Sequence, residues 1–160
     1  MRRLRRAGRD GRGQAVVEFA LVLPLLLLVV TGLFDVARAV WQENTLAYAA
    51  REGTRYAIVH GAASLSPIGP GNTAAVESVV RNAAVGVYGI TVTVTWPDLI
   101  PCLPSPPAAP GCSGTVPCTG RFCRVAVDAT APFVPLPSQY LLGSALQITL
   151  RGGSMLVIQR

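Results

Sequence analysis

From residue 19 to residue 34 the chain carries no charge, and residues 15–17 extend that apolar run with Glu18 as its interruption. At about 1.5 Å per helical residue, residues 15–34 cover roughly 30 Å, the hydrocarbon thickness of a bilayer, so the pattern predicts one membrane-spanning helix. Pro24 lies inside the run. It removes the hydrogen bond from its own nitrogen to the Ala20 carbonyl, and a kink is expected there. Residues 35–60 contain no Pro, are rich in Ala and keep Gly only at Gly53, which predicts that the helix continues outside the membrane to about His60. Asp35 and Arg38, and Glu52 and Arg55, are spaced i,i+3 and can pair along it. Trp41, Thr45, Tyr48, Ala49, Glu52 and Tyr56 form a stripe at helical spacing whose aromatic members could rest at the outer membrane interface or on a packed domain; core packing is the preferred reading over a partner groove.

Beyond the helix the period changes. Gly61 and residues 61–72 supply turn residues. Thr73 is a candidate N-cap for a second, short helix to about Tyr88, with Ala74, Val76, Val79, Val80 and Ala83 on its apolar side and Gly89 ending it. Residues 90–96, ITVTVTW, alternate Ile90, Val92, Val94 and Trp96 with three threonines, the period of a half-buried strand. A second strand is expected in RFCRVAVDAT, where Val125, Val127 and Ala129 alternate with Arg124, Ala126 and Asp128. ALQITL and SMLVIQ flank RGGS and read as a closing β-hairpin. The fold class is α+β: a long N-terminal transmembrane helix, a second short helix and a small antiparallel sheet of about four strands. Residues 97–120, with seven prolines and three cysteines, are expected to form an irregular loop.

Charge adds an orientation. The formal net charge is +6, but Arg2, Arg3, Arg5, Arg6, Arg9 and Arg12 precede Gly13, offset by Asp10; from Gln14 onward eight Arg face seven acids, a net of +1. A basic leader followed by an apolar run is the membrane-directed pattern, with the arginines held in the cytoplasm and everything after about Asp35 exported. The charge is thereby accounted for without nucleic acid as a partner. Three outcomes stay open on this pattern: an uncleaved anchor, a secreted protein cut after the small-x-small triplet Ala37-Arg38-Ala39, or a membrane protein trimmed at its leader.

Glu18 bears on that choice. An unpaired carboxylate in hydrocarbon costs about 2.5–3.5 kcal/mol at a helix centre and less near its edge, so such an acid is by default functional, with a partner to be named. No Lys or Arg lies inside the span. Cleavage after Gly13 would create a cation, the free α-ammonium of Gln14, and would make Glu18 the fifth residue of the mature chain; the pair would offset the burial of either charge. The string GQAVVEFALVLP, with Gly13 before the cut, Glu18 at the fifth mature position and Phe19 after it, resembles the processing site of the type IV prepilin superfamily. With Pro24, Asp35, Arg38 and the run AAREGTR, residues 49–55, it is similar more narrowly to the TadE-like family of tight-adherence (Flp) pilus assembly proteins, well over residues 13–57 and in general architecture beyond. The resemblance implies a prepilin peptidase acting on the cytoplasmic face of the inner membrane, and other pilins or pilus assembly machinery as partners.

Cys102, Cys112, Cys118 and Cys123 lie within 22 residues and face an oxidising compartment, where two disulfides are the default and three connectivities are possible. The spacings x9, x5 and x4 lack a C-x-x-C knuckle, which disfavours zinc. No catalytic pattern emerges. His60 is the only histidine, GCSG at residues 111–114 is not a nucleophile elbow, and a chain without Lys has no P-loop. The reading is therefore a non-enzymatic, cofactor-free, single-pass protein oriented N-in/C-out. It comprises a basic leader (1–13), a transmembrane helix with its extracytoplasmic extension (14–60) and an exported α+β domain (61–160). The function that the resemblance implies is that of a minor pilin-like, or pseudopilin, protein in tight-adherence pilus assembly; the alternative is an anchored or secreted extracytoplasmic binding module unrelated to pili.

Overall fold

The computed structural model describes residues 11–101, 114–136 and 147–159. Helix α1, Gly11–Val59, runs unbroken for 49 residues with Pro24 inside it. Among the described residues its first half is left uncovered: Phe19, Leu21, Leu25 and Phe34 are all more than three-fifths exposed, and none of the most apolar window is buried. The second half buries Leu46, Ala49, Ala50, Gly53, Thr54 and Ala57, which recur at i, i+3, i+4 and i+7 on one face. Helix α2, Ala74–Ala83, packs there through Val76 and Val80. The α+β layout matches the one expected from the periodicities.

Three antiparallel strands complete the packing in the order β1 (Thr91–Thr95), β4 (Arg124–Phe133), β5 (Ile148–Val157), with β4 and β5 against α1 and β1 against α2. Register places Val94 opposite Val127 and Ala129 opposite Gly152. Along β4, Val125, Val127, Ala129, Ala131 and Phe133 are buried on one side, whereas Arg124, Asp128, Thr130 and Pro132 lie on the other, where Ala126 alone is also buried. This packed unit, with the α1 segment beneath it, is called the head below.

Five expectations are corrected. The closing hairpin does not form, because RGGS lies in the middle of β5. Its glycines are there for close approach: a Cβ at Gly152 would collide with the backbone of Leu46 and Ala47, and one at Gly153 would reach the Asp128 carboxylate. Residues 97–120 are not wholly irregular, since β2 (Leu99–Pro101) pairs antiparallel with β3 (Thr115–Pro117). Helix α2 stops at Ala83 instead of Tyr88; Gly86 adopts φ 78° and turns the chain. Thr73 caps no backbone N–H through its side chain and donates its hydroxyl to Glu77 Oε1 at 2.8 Å. In the predicted α1 stripe, Ala49 is buried and Tyr56 packs partly, but Trp41 and Tyr48 are each about half exposed; the buried face lies to one side, on small residues.

Candidate functional site: the membrane helix and its junction with the head

Gln14, Val17, Glu18 and Leu21 share one face of α1 with Gly13 at its start. Glu18 lies one turn beyond Gln14 and is exposed, as is Phe19. Among the described residues α1 runs from Gly11, so the Gly13–Gln14 bond lies in helix. Of the candidate disulfide residues, Cys118 and Cys123 are joined, with 5.7 Å between their Cα atoms. Cys102 and Cys112, and the leader arginines before Gly11, lie outside the described residues.

Where the apolar run ends, two charged side chains fasten the head to the helix. Asp35 is 6% exposed, and its Oδ2 accepts a hydrogen bond from the Leu136 N–H at 2.8 Å, across 101 positions of sequence. The Arg38 guanidinium lies 4.0 Å from the other carboxylate oxygen, donates to the Val134 carbonyl at 3.2 Å and stacks 5.0 Å above the Phe133 ring. An i,i+3 pair read as helix support is thus also a tertiary clasp on the end of β4. Higher on α1, Thr54 is fully buried; its hydroxyl lies 2.7 Å from the Ala50 carbonyl and 3.4 Å from that of Ser154 on β5. A Cβ on Gly53 would overlap the Val80 side chain, so only glycine lets α1 and α2 approach this closely.

The far end of the head is pinned by the Cys118–Cys123 disulfide, by Cys118 N–H to the Asp98 carbonyl at 2.7 Å and by Ile158 N–H to the Cys123 carbonyl at 2.8 Å. There Asp98 accepts from the Arg124 backbone N–H at 2.7 Å and from its guanidinium. Hydrogen bonding to the Arg124 side chain, then to its backbone, holds the Asp98 carboxyl below the usual carboxylate range. Phe122, in the disulfide loop, has φ 71° and is 78% exposed with Arg121 over its ring. Nothing in the hydrophobic pattern marks Phe122 or the Asp98–Arg124 pair. His60 stacks on Tyr56 and bonds the Tyr56 carbonyl through Nδ1 at 2.8 Å, a structural role. Among the described residues no group of three His, Cys, Asp or Glu side chains could hold a metal ion.

These features define a class: an α+β head built directly on the upper half of a single helix that is long and apolar enough to cross a membrane. Residues 13–55 match the family described as TadE-like protein. The matched stretch comprises the exposed apolar half of α1, the Asp35–Arg38 clasp and the small-residue face through Thr54, and it ends before α2 and every strand. The match points to a bacterial, Tad pilus-associated, membrane-anchored protein with an N-terminal membrane-type helix. No curated protein and no solved structure matches the chain.

Proposed function

We propose that this chain is a minor pilin-like, or pseudopilin, protein that a prepilin peptidase trims after Gly13 and that acts in assembling a tight-adherence pilus. The observation that carries this reading is Gly13, Gln14, Glu18 and Phe19 set at the head of an exposed apolar helix within the family-matched stretch. Cleavage makes Gln14 the helix N-terminus. Its α-ammonium then lies one turn from Glu18, and a carboxylate near the positive end of the helix dipole is favoured. An i,i+4 relation permits Glu18 to neutralise its own N-terminus or that of an adjacent pilin, so the charge guides packing without leaving an unpaired ion in lipid. Because the scissile bond lies in helix, the peptidase must unwind it locally. Gly11 and Gly13 lower the cost of doing so, each by about 1 kcal/mol relative to Ala.

The head is placed on the exported side of the cytoplasmic membrane by the arginines of the leader, an environment compatible with the Cys118–Cys123 disulfide. Secretion by a cut after Ala39 would remove the Asp35 and Arg38 contacts to Leu136, Val134 and Phe133, which disfavours it. Intact mass and N-terminal sequencing of the protein from its own membranes test the proposal. A start at Gln14 is expected. A start at Met1 would leave a plain anchor and one at Val40 a secreted protein, and either would favour the binding-module alternative.

A further inference from the structure

The head carries exposed apolar groups at the end nearest the apolar run. Val85 is 73% exposed and Tyr88 85% exposed, in the turn that follows α2. That turn rests on α1: a Cβ on Gly86 would meet Trp41 Cη2 at 2.8 Å, so the half-exposed indole lies directly against it. The height of the turn is set by two contacts. Leu136, three residues past the end of β4, donates its N–H to Asp35, one residue beyond the charge-free run, and Gly89 lies against Pro132 near the end of β4. The lower end of the head therefore lies at the level where the span ends. At about 1.5 Å per residue, Trp41 is only ~10 Å above Phe34. If Glu18 marks the other hydrocarbon edge, twenty residues of helix carry the near edge to about Arg38 and leave Trp41 ~5 Å above it.

We infer that Trp41, Val85 and Tyr88 form a lipid-docking rim, through which the underside of the head sits in the headgroup layer of the leaflet it faces. The occupant is lipid because the patch is continuous with the exposed surface of the span through Phe34 and Val40, each more than half exposed. Its composition is that of a membrane interface, where Trp and Tyr rings and short apolar side chains settle. The charged groups near it fit the same surroundings. Asp35 is buried, whereas Arg38 and Arg81 keep about half of their side chains exposed and can reach lipid phosphates. Glu43 is two positions from Trp41 along α1, on the opposite side of the helix and farther from the span. Docking here would hold the head upright against the bilayer and present the opposite end, with the disulfide loop, away from it.

This inference rests on residues 19–34 crossing the bilayer, and its test separates the two. The full chain is placed in phosphatidylcholine vesicles whose acyl chains are brominated near the headgroup. Trp41→Phe serves as the parent, since Trp96 is 8% exposed and supplies a shielded background. Tyr88→Trp in that parent is the reporter; position 88 makes little packing, so folding is not at stake, and Val85→Trp is a second, independent reporter. The expected result is that bromolipid removes about half of the added emission, with acrylamide quenching severalfold weaker than for free tryptophan. Strong acrylamide quenching without bromolipid quenching would mean a head that stands clear of the membrane and would overturn the inference. Shielding from both quenchers would mean that protein, such as a second copy, covers the rim, and would overturn it too. Retention of the chain in the vesicles after an alkaline carbonate wash reports the span separately; release would overturn the span and the docking together.

Discussion

Asp98 and Asp35 are both bonded to backbone N–H groups, but they sit at opposite ends of the head and their loss has different consequences. Asp98 is held below its ordinary pKa of about 3.9 by Arg124, so the folded state favours its charged form. Its contribution is present above the unfolded value and is lost as pH falls through the lower folded one. Acid titration of the unfolding midpoint should therefore show a decline below about pH 4, and Asp98→Asn should flatten it while leaving the neutral-pH span insertion intact. Asp35 acts by position. Asp35→Ala leaves the Leu136 N–H without its acceptor and Arg38 without its charge partner, and should destabilise the head by about 1–3 kcal/mol. Asp35→Asn keeps an acceptor and should lose less. Hydrogen exchange at the Leu136 amide reads this directly: it should quicken in the Ala variant more than in the Asn variant.

At the scale of elements, what was legible in the sequence was what a period can encode. The apolar run and its alanine-rich extension gave α1, the Val-Thr alternation gave β1, and Val125, Val127 and Ala129 gave β4. What escaped were contacts between distant positions. Gly152 and Gly153 have the local chemistry of a turn, yet the need they meet is the crossing of β5 over α1 and the room for Asp128, neither of which a window of sequence contains. Trp41 and Tyr48 look like core because they are large, but α1 buries Ala49, Ala50, Gly53 and Ala57 instead, since short side chains let a sheet and a second helix approach it closely. The Asp35–Arg38 pair was legible as a pair; its hold on Leu136 and Val134 was not. Gly152→Val pushes a branched side chain into backbone, which cannot swing aside as a side chain can, and should destabilise the head by about 3 kcal/mol or more. The same substitution at Gly71, where nothing lies within 4 Å, should change stability little. Thermal unfolding of the two variants in the same detergent compares them.

On the scale of the whole molecule, the chain divides its surface between two solvents. Between residues 15 and 34 α1 offers apolar side chains, one hydroxyl at Thr31 bonded within the helix and one carboxylate, while the second half is the floor on which the head is built, so no hinge separates anchor from domain among the described residues. A force or displacement applied to the lower helix is therefore transmitted to the sheet through Leu46, Thr54 and the clasp. This rigidity gives Glu18 a distinct signature under the proposed function. The span retains its length and hydropathy in Glu18→Ala, so membrane insertion and the fold of the head should be unchanged, with the same carbonate resistance and the same disulfide state of Cys118 and Cys123. What should fall is pilus output, because the processed N-terminus loses the carboxylate that guides it against its neighbours. Glu18→Gln, which keeps the shape and removes the charge, should fail similarly if the charge pair is what matters. Counting surface pili in a strain whose only copy is either variant, beside an immunoblot for membrane level, decides the matter: normal pili at normal protein level would remove Glu18 from the assembly mechanism.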